Sequence, residues 1–264
     1  MRASILLPFG SLNQESGVVA LVANYLRSIF PGVSQLVCNG IFSVCDRDAE
    51  LSWRRDIHAC QRCSHDQQRL ASWANLDLMR LSTLINADEI WETKKWVTCL
   101  PSAELRTAEF HGLNLFELCK PSLENRYGSS TAVDMTHQAH EQFLRRIMLG
   151  ALRMCVIGRR FNNRMLADLT LVAGETDFIT ASFAAQARKQ GRGVALFKWD
   201  VATRAVRVHH PYNGQVFNCE FVLEDVTSMR NDVMTWPVEL VNVVRDLLRF
   251  LDVSETQLKL PLAR

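Results

Sequence analysis

Four cysteines within residues 38–63 are the part of this chain whose residue types and spacing most directly suggest chemistry. Cys38, Cys45, Cys60 and Cys63 follow the pattern C-x6-C-x14-C-x2-C. A C-x2-C pair lets two thiolates converge on one ion, and two further thiolates would complete a tetrahedral shell for Zn or the corners of a [4Fe-4S] cluster. His58 and His65 flank the pair and could replace a thiolate or support one through a hydrogen bond. Two other readings stand beside the metal site. Cysteine is among the most buried residue types, so Cys38 could simply end a core strand, and Cys60 and Cys63 could form a redox pair. Cys99, Cys119, Cys155 and Cys219 have no partner at ligand spacing and read as packing residues.

A second set of candidates lies where strands are expected to end. Glu175 and Asp177 in "LVAGETDF" could take a proton from a hydroxyl or bind sugar hydroxyls, and Asp177 is equally suited to cap the helix that follows. Asn13, Glu15 and Ser16 lie in the turn into the first helix, where a ligand could meet the helix amino terminus or the side chains could merely cap it. Lys198 and His209, with Asp200 and His210, lie near the ends of the next strands, as ligand-binding groups or as surface.

These residues need elements to position them. "SILLPF" reads as a strand, "GVVALVANYLRSIF" as a helix ending at Pro31, and "SQLVC" as a second strand, the opening of a parallel α/β unit. Ligands of such sheets gather beyond the carboxyl ends of the strands, here the loops at 9–16 and from 38 onward. Residues 67–100 carry a helical, Trp-rich pattern, 101–131 a short helix and turns, and about 134–165 a long helix with arginines around it. Those arginines read as a solvated face or as phosphate contacts. A second unit follows: strand "DLTLVAG", helix "TDFITASFAAQARKQ" stopped by Gly191, strand "GRGVALFKW" and strand "RAVRVHH". An amphipathic helix beginning at Pro237 closes the pattern. The expected architecture is one α/β domain over 1–264, a Rossmann-like parallel sheet flanked by helices, with a mainly helical insertion at about 67–165.

Composition narrows the function classes. With 264 residues, 48% hydrophobic and 22% charged, the chain can bury a core without disulfides. A net charge of +2 without a basic stripe predicts no nucleic-acid partner. The longest charge-free stretch, 28–45, is broken by Pro31, Gly32 and Gly40, so no membrane span is expected. The N-terminal apolar run is cut by Pro8 and Gly10, which predicts a cytoplasmic protein, where clustered cysteines bind metal more readily than they form disulfides. No G-x-G-x-x-G, G-x4-G-K-[ST], G-x-S-x-G or H-E-x-x-H occurs, which argues against a tight pyrophosphate cradle, a serine-hydrolase elbow and a zincin site.

The run "CNGIFSVC" followed by "CQRC", with the early "LNQESG" turn and the later "HEQFLRRIMLGALRMCVIGRRFNNRMLADLTLVAG", resembles the amino-terminal part of glycosyltransferase-like proteins from bacterial surface-polysaccharide clusters. The resemblance covers about residues 3–210. It implies a GT-B-like acceptor half acting with a glycan acceptor and a nucleotide sugar, the sugar nucleotide held by a second half that a partner protein would supply. Two positions depart from the pattern: Ala173-Gly174 stands where Asn-Gly is common, and Lys198-Trp199-Asp200 where Glu and Gly are common. The alternative is a non-catalytic metal-binding interaction module.

Overall fold

The structure, a computed structural model, describes residues 3–6, 14–29, 33–45, 57–165, 168–174, 176–200, 205–210, 215–220, 242, 245–247 and 249–250. Its centre is a seven-stranded sheet of β1 (Ala3–Leu6), β2 (Ser34–Val37), β3 (Asp77–Arg80), β6 (Leu169–Ala173), β7 (Gly193–Asp200), β8 (Ala205–His209) and β9 (Val216–Glu220). A hairpin of β4 (Glu109–Phe110) and β5 (Leu113–Asn114) stands apart. The sheet order is β3-β2-β1-β6-β7-β8-β9. The first five strands are parallel and the last two antiparallel. This is the Rossmann-like α/β architecture expected from the sequence.

The helices around it are α1 (Gln14–Ile29), α2 (Ile57–Trp73), α3 (Ala87–Cys99), α4 (Leu115–Tyr127), α5 (Gln138–Met165) and α6 (Phe178–Lys189). Leu6, Leu36, Val172, Val194 and Leu196 share one core with Ile147, Met154 and Phe161 of α5 and Phe183 of α6. Successive strand residues point to opposite faces, so Ile5, Gln35 and Leu171, all buried, face the other side. There α1 lies against β1, β6 and β7, and α2 against β2 and β3. Helices α3 and α4 form an outer layer on α5.

Local chemistry sets the helix ends. Asn86 and Glu89 make a reciprocal capping box on α3, with bonds of 2.8 and 2.9 Å. Helix α6 is closed by Gly191 at φ +70, with Arg192 N–H donating to Ala187 O, the glycine stop read from the sequence.

Two expectations are corrected. The 67–100 segment is not helical throughout, because β3 interrupts it. Asn75, left-handed at φ 54, ends α2 with the double bond of a Schellman motif, Leu76 N–H to Ala71 O and Asn75 N–H to Ser72 O. The chain then runs beside β2 as an edge strand too short and too exposed to show alternation. Three arginines of α5, Arg145, Arg153 and Arg160, are not a solvated face, whereas Arg164 is exposed. Arg145 donates to Val97 O and Leu100 O, both at 2.8 Å. Arg153 reaches Ile90 O, and Arg160 bonds Leu84 O and Glu89. They tie the outer layer to the central helix by satisfying carbonyls at the ends of α3 and its flanking turns. Strand β9 has no counterpart in the sequence reading, and the helix expected from Pro237 falls largely outside the described residues.

Candidate functional site

Strand order reverses beside β1. The chain moves outward through β2 and β3, then returns to place β6 on the other side of β1. At such a switch the connections leaving the two neighbouring strands lead to opposite sides, and α/β sheets hold their ligands in a crevice at that edge, here the carboxyl ends of β1 and β6. The helices that begin at this edge are α1 and α6, and the loop after β2 borders it.

The α6 side is built tightly. Asp177 is 2% exposed, and its Oδ1 accepts from Ile179 N–H at 2.8 Å and Thr180 N–H at 3.0 Å. Its Oδ2 accepts from the Thr180 hydroxyl at 3.0 Å. Phe178 N–H donates to Ser122 Oγ at 2.8 Å, and Asn125 Nδ2 donates to Thr176 O at 2.6 Å, so α4 braces the turn leaving β6. Gly174 takes φ +72 in that turn, a conformation that a side chain strains. The Phe42 ring, from the loop after β2, meets Phe178 edge to face with centroids 5.6 Å apart.

The loop after β2 starts at Cys38. Asn39 and Gly40 are both left-handed, at φ 42 and φ 78, the pair of positive φ angles that a tight Asn-Gly turn accommodates. The backbone N–H groups of Gly40, Ile41 and Phe42 favour the ionised form of the Cys38 thiol. Burial pushes the Cys38 thiol up from its ordinary value, those donors pull it down, and the nearby Cys63 adds a smaller push upward. Asn39 is itself pinned to the turn after β3, its Nδ2 donating to Ser82 Oγ at 2.9 Å and its Oδ1 accepting from Ser82 N–H at 3.3 Å.

The C-x2-C pair is not a loop knuckle. Cys60 and Cys63 lie in the opening turns of α2, a stretch without Gly or Pro, where the i, i+3 spacing places both on one helix face. Cys38, Cys45, Cys60 and Cys63 are all partly buried thiols. Among the described residues no group of three or more His, Cys, Asp or Glu side chains stands at metal-binding distance.

The other sequence candidates divide. Ser16 lies in the first turn of α1 and is buried. Glu15 lies in the same turn, with its side chain outside the described residues, as are Asn13 and Glu175 entirely. Lys198 is exposed at the carboxyl end of β7, opposite Arg207. Asp200 relieves that pair of cations with a 2.7 Å bridge to Arg207. His209 pairs with Leu196 in mid-strand, two strands beyond β6, so the sheet does not bring it to the crevice. Ser122, Asn125 and Phe42 are the residues at this edge that the sequence reading missed. The packing of α4 and of the loop after β2 against α6 reveals them.

The mostly parallel sheet, its flanking helices and the switch of strand order at β1 define a Rossmann-like α/β protein. Compared with known proteins, the chain matches no family model, no curated protein and no solved structure. No described helix is long and apolar enough to cross a membrane.

Proposed function

We propose that this is a glycosyltransferase-like protein of polysaccharide or glycoconjugate biosynthesis, acting in the cytoplasm, whose crevice between β1 and β6 receives a glycan acceptor. The observation that supports this most is the reversal of strand order at β1, with α1, α6 and the loop after β2 all opening on the same edge. Asp177 is committed to the α6 cap through both carboxylate oxygens, which makes it a positioning residue in this reading. Glu175, two residues earlier, is then the carboxylate that takes the acceptor hydroxyl proton as the glycosidic bond forms. Lys198 would offset phosphate charge from a nucleotide sugar, which a partner protein's second half would hold.

Calorimetry with a panel of nucleotide sugars and glycan acceptors, followed by a reconstituted transfer assay, tests this. Acceptor binding is expected, with Glu175→Gln reducing transfer by at least about a hundredfold at unchanged acceptor affinity. Absence of binding to every acceptor, with transfer indifferent to Glu175→Gln, removes the reading.

A second reading, a non-catalytic interaction module whose loop after β2 is fixed by Zn or an iron–sulfur cluster, is favoured by one observation. Against the burial that raises the Cys38 thiol, the backbone N–H groups of Gly40, Ile41 and Phe42 favour its ionised form, the form that ligates a metal.

A further inference from the structure

The connection from α4 to α5 is fastened at two neighbouring backbone groups. Val133 O accepts from Arg106 Nη2 at 2.9 Å, and Asp134 N–H donates at 3.0 Å to Nδ1 of His140, in the first turn of α5. The second bond carries a chemical condition. Nδ1 accepts only while the imidazole is neutral with its proton on Nε2, because an imidazolium holds a proton on both nitrogens and has no acceptor left.

Among the described residues, the charged and titratable groups around this ring come from α4, from the connection and from α5. The His137 ring lies against it, and so does the ring of Tyr127, the last residue of α4, each with centroids 4.7 Å away. The Arg126 guanidinium stands over the Tyr127 and Phe143 rings, 5.6 and 4.4 Å from their centroids. Arg126, a protonated His137 and the positive end of α5 all disfavour a cation on His140. Glu141 is engaged elsewhere, with Ser102 and Arg145. The Asp134 carboxylate pulls the other way. Thr136, through its hydroxyl and its N–H, and then the attraction of His140 and His137 hold that carboxyl below its ordinary value. Asp134 therefore offers His140 two partners: its N–H suits the neutral ring and its carboxylate suits the charged one.

We infer that His140 is a pH-operated latch, which when neutral holds the α4–α5 connection to α5 through the Asp134 amide, and when protonated releases that amide and turns to the Asp134 carboxylate. The proton comes from solvent to Nδ1, and no other bond is made or broken covalently. Imidazole is the side chain whose charge changes within a unit or two of neutrality, so the latch works in a range where the carboxylate stays ionised. It fastens the far end of α4, the helix whose Ser122 and Asn125 brace the turn leaving β6. The inference is independent of both the glycosyl-transfer and the metal-binding readings.

The test is amide hydrogen exchange of the full chain, read residue by residue by nuclear magnetic resonance from about pH 8 down to about pH 5, with each rate divided by the intrinsic rate at that pH. Protection of the Asp134 amide is expected to fall by about five- to tenfold on acidification, the loss of a single hydrogen bond. His140→Asn sets an amide oxygen close to the place of Nδ1 and does not titrate, so it should keep the protection at both ends of the range. His140→Ala should lack it at both ends, with far-ultraviolet circular dichroism establishing that the chain is folded. His137→Ala should still switch. Protection that stays constant with pH in the wild type overturns the latch. So does protection that His140→Asn loses along the wild-type curve, since the titrating group is then another.

Discussion

Single side chains in this molecule carry opposite signs of stability. Gln35 sits in the middle of β2 at 0% exposure, and among the described residues neither its Oε1 nor its Nε2 has a hydrogen-bond partner. An unmet buried amide costs about 1–3 kcal/mol, so Gln35→Met, nearly isosteric, should raise the melting temperature. Asp177 works the other way. Its carboxylate satisfies two amide donors and a hydroxyl, and Asp177→Ala should lower stability by about 1–2 kcal/mol in denaturant unfolding, the usual cost of losing an N-cap. Cys155 is buried in α5, and burial pushes its thiol up to about 12. A thiol raised in the folded state loses nothing below its ordinary value of 9.0. Above it the unfolded chain ionises first, so stability falls as pH rises from there towards 12. Cys155→Ala should flatten that alkaline decline, and native Cys155 should resist iodoacetamide at neutral pH while exposed Cys99 reacts.

At the scale of elements, the contact between α5 and α6 depends on two glycines inside a long helix, where glycine is ordinarily unfavourable. A Cβ on Gly150 would overlap the Phe178 ring, with Cζ at 2.8 Å, whereas one on Gly158 would stand 3.3 Å from Gln186 and Phe183. Gly150→Ala should destabilise by about 1–3 kcal/mol from overpacking, despite the gain in helix propensity, and Gly158→Ala should be close to neutral. A double-mutant cycle of Gly150→Ala with Phe178→Leu should show that the smaller side chain relieves part of the loss. Since Phe178 N–H is held by Ser122 and its ring by Phe42, Gly150 also sets how closely α6 meets the crevice.

For the molecule as a whole, the arginines of α5 join the outer helices to the central layer. Arg145 bonds two carbonyls at the end of α3, and Glu141 as well. Arg145→Ala would strip donors from Val97 and Leu100, and a loss of about 1–3 kcal/mol is expected in thermal or denaturant unfolding. Arg145→Lys should recover less than half of it, because an ammonium cannot span the same fork. The hydrogen bond from Ser102, and then Arg145, hold the Glu141 carboxyl below its ordinary 4.5. Its contribution is therefore present above 4.5 and fades as pH falls through the lowered value. Acid titration followed by near-ultraviolet circular dichroism should show Arg145→Ala losing that part of the acid dependence.

The sequence by itself determined what is local. The strand, helix, strand rhythm at each end, the glycine stop of α6, the length of α5 and the α/β class all follow from periodicity and cap chemistry within a few residues. It also placed Cys38 at the end of β2 and Asp177 at the start of α6, the two points where the candidate site is built. Tertiary structure decided the rest, because partners far apart in sequence leave no local trace. Strand order, and with it the crevice, is set by pairing β1 with β6 across more than a hundred and sixty residues. The edge strand β3 exists through its ladder to β2 rather than through its own pattern. Whether an arginine is solvated or bonds a buried carbonyl depends on which helix packs against it. The cysteines show the limit of spacing: it suggested a looped quartet, while the fold placed Cys60 and Cys63 in helix α2.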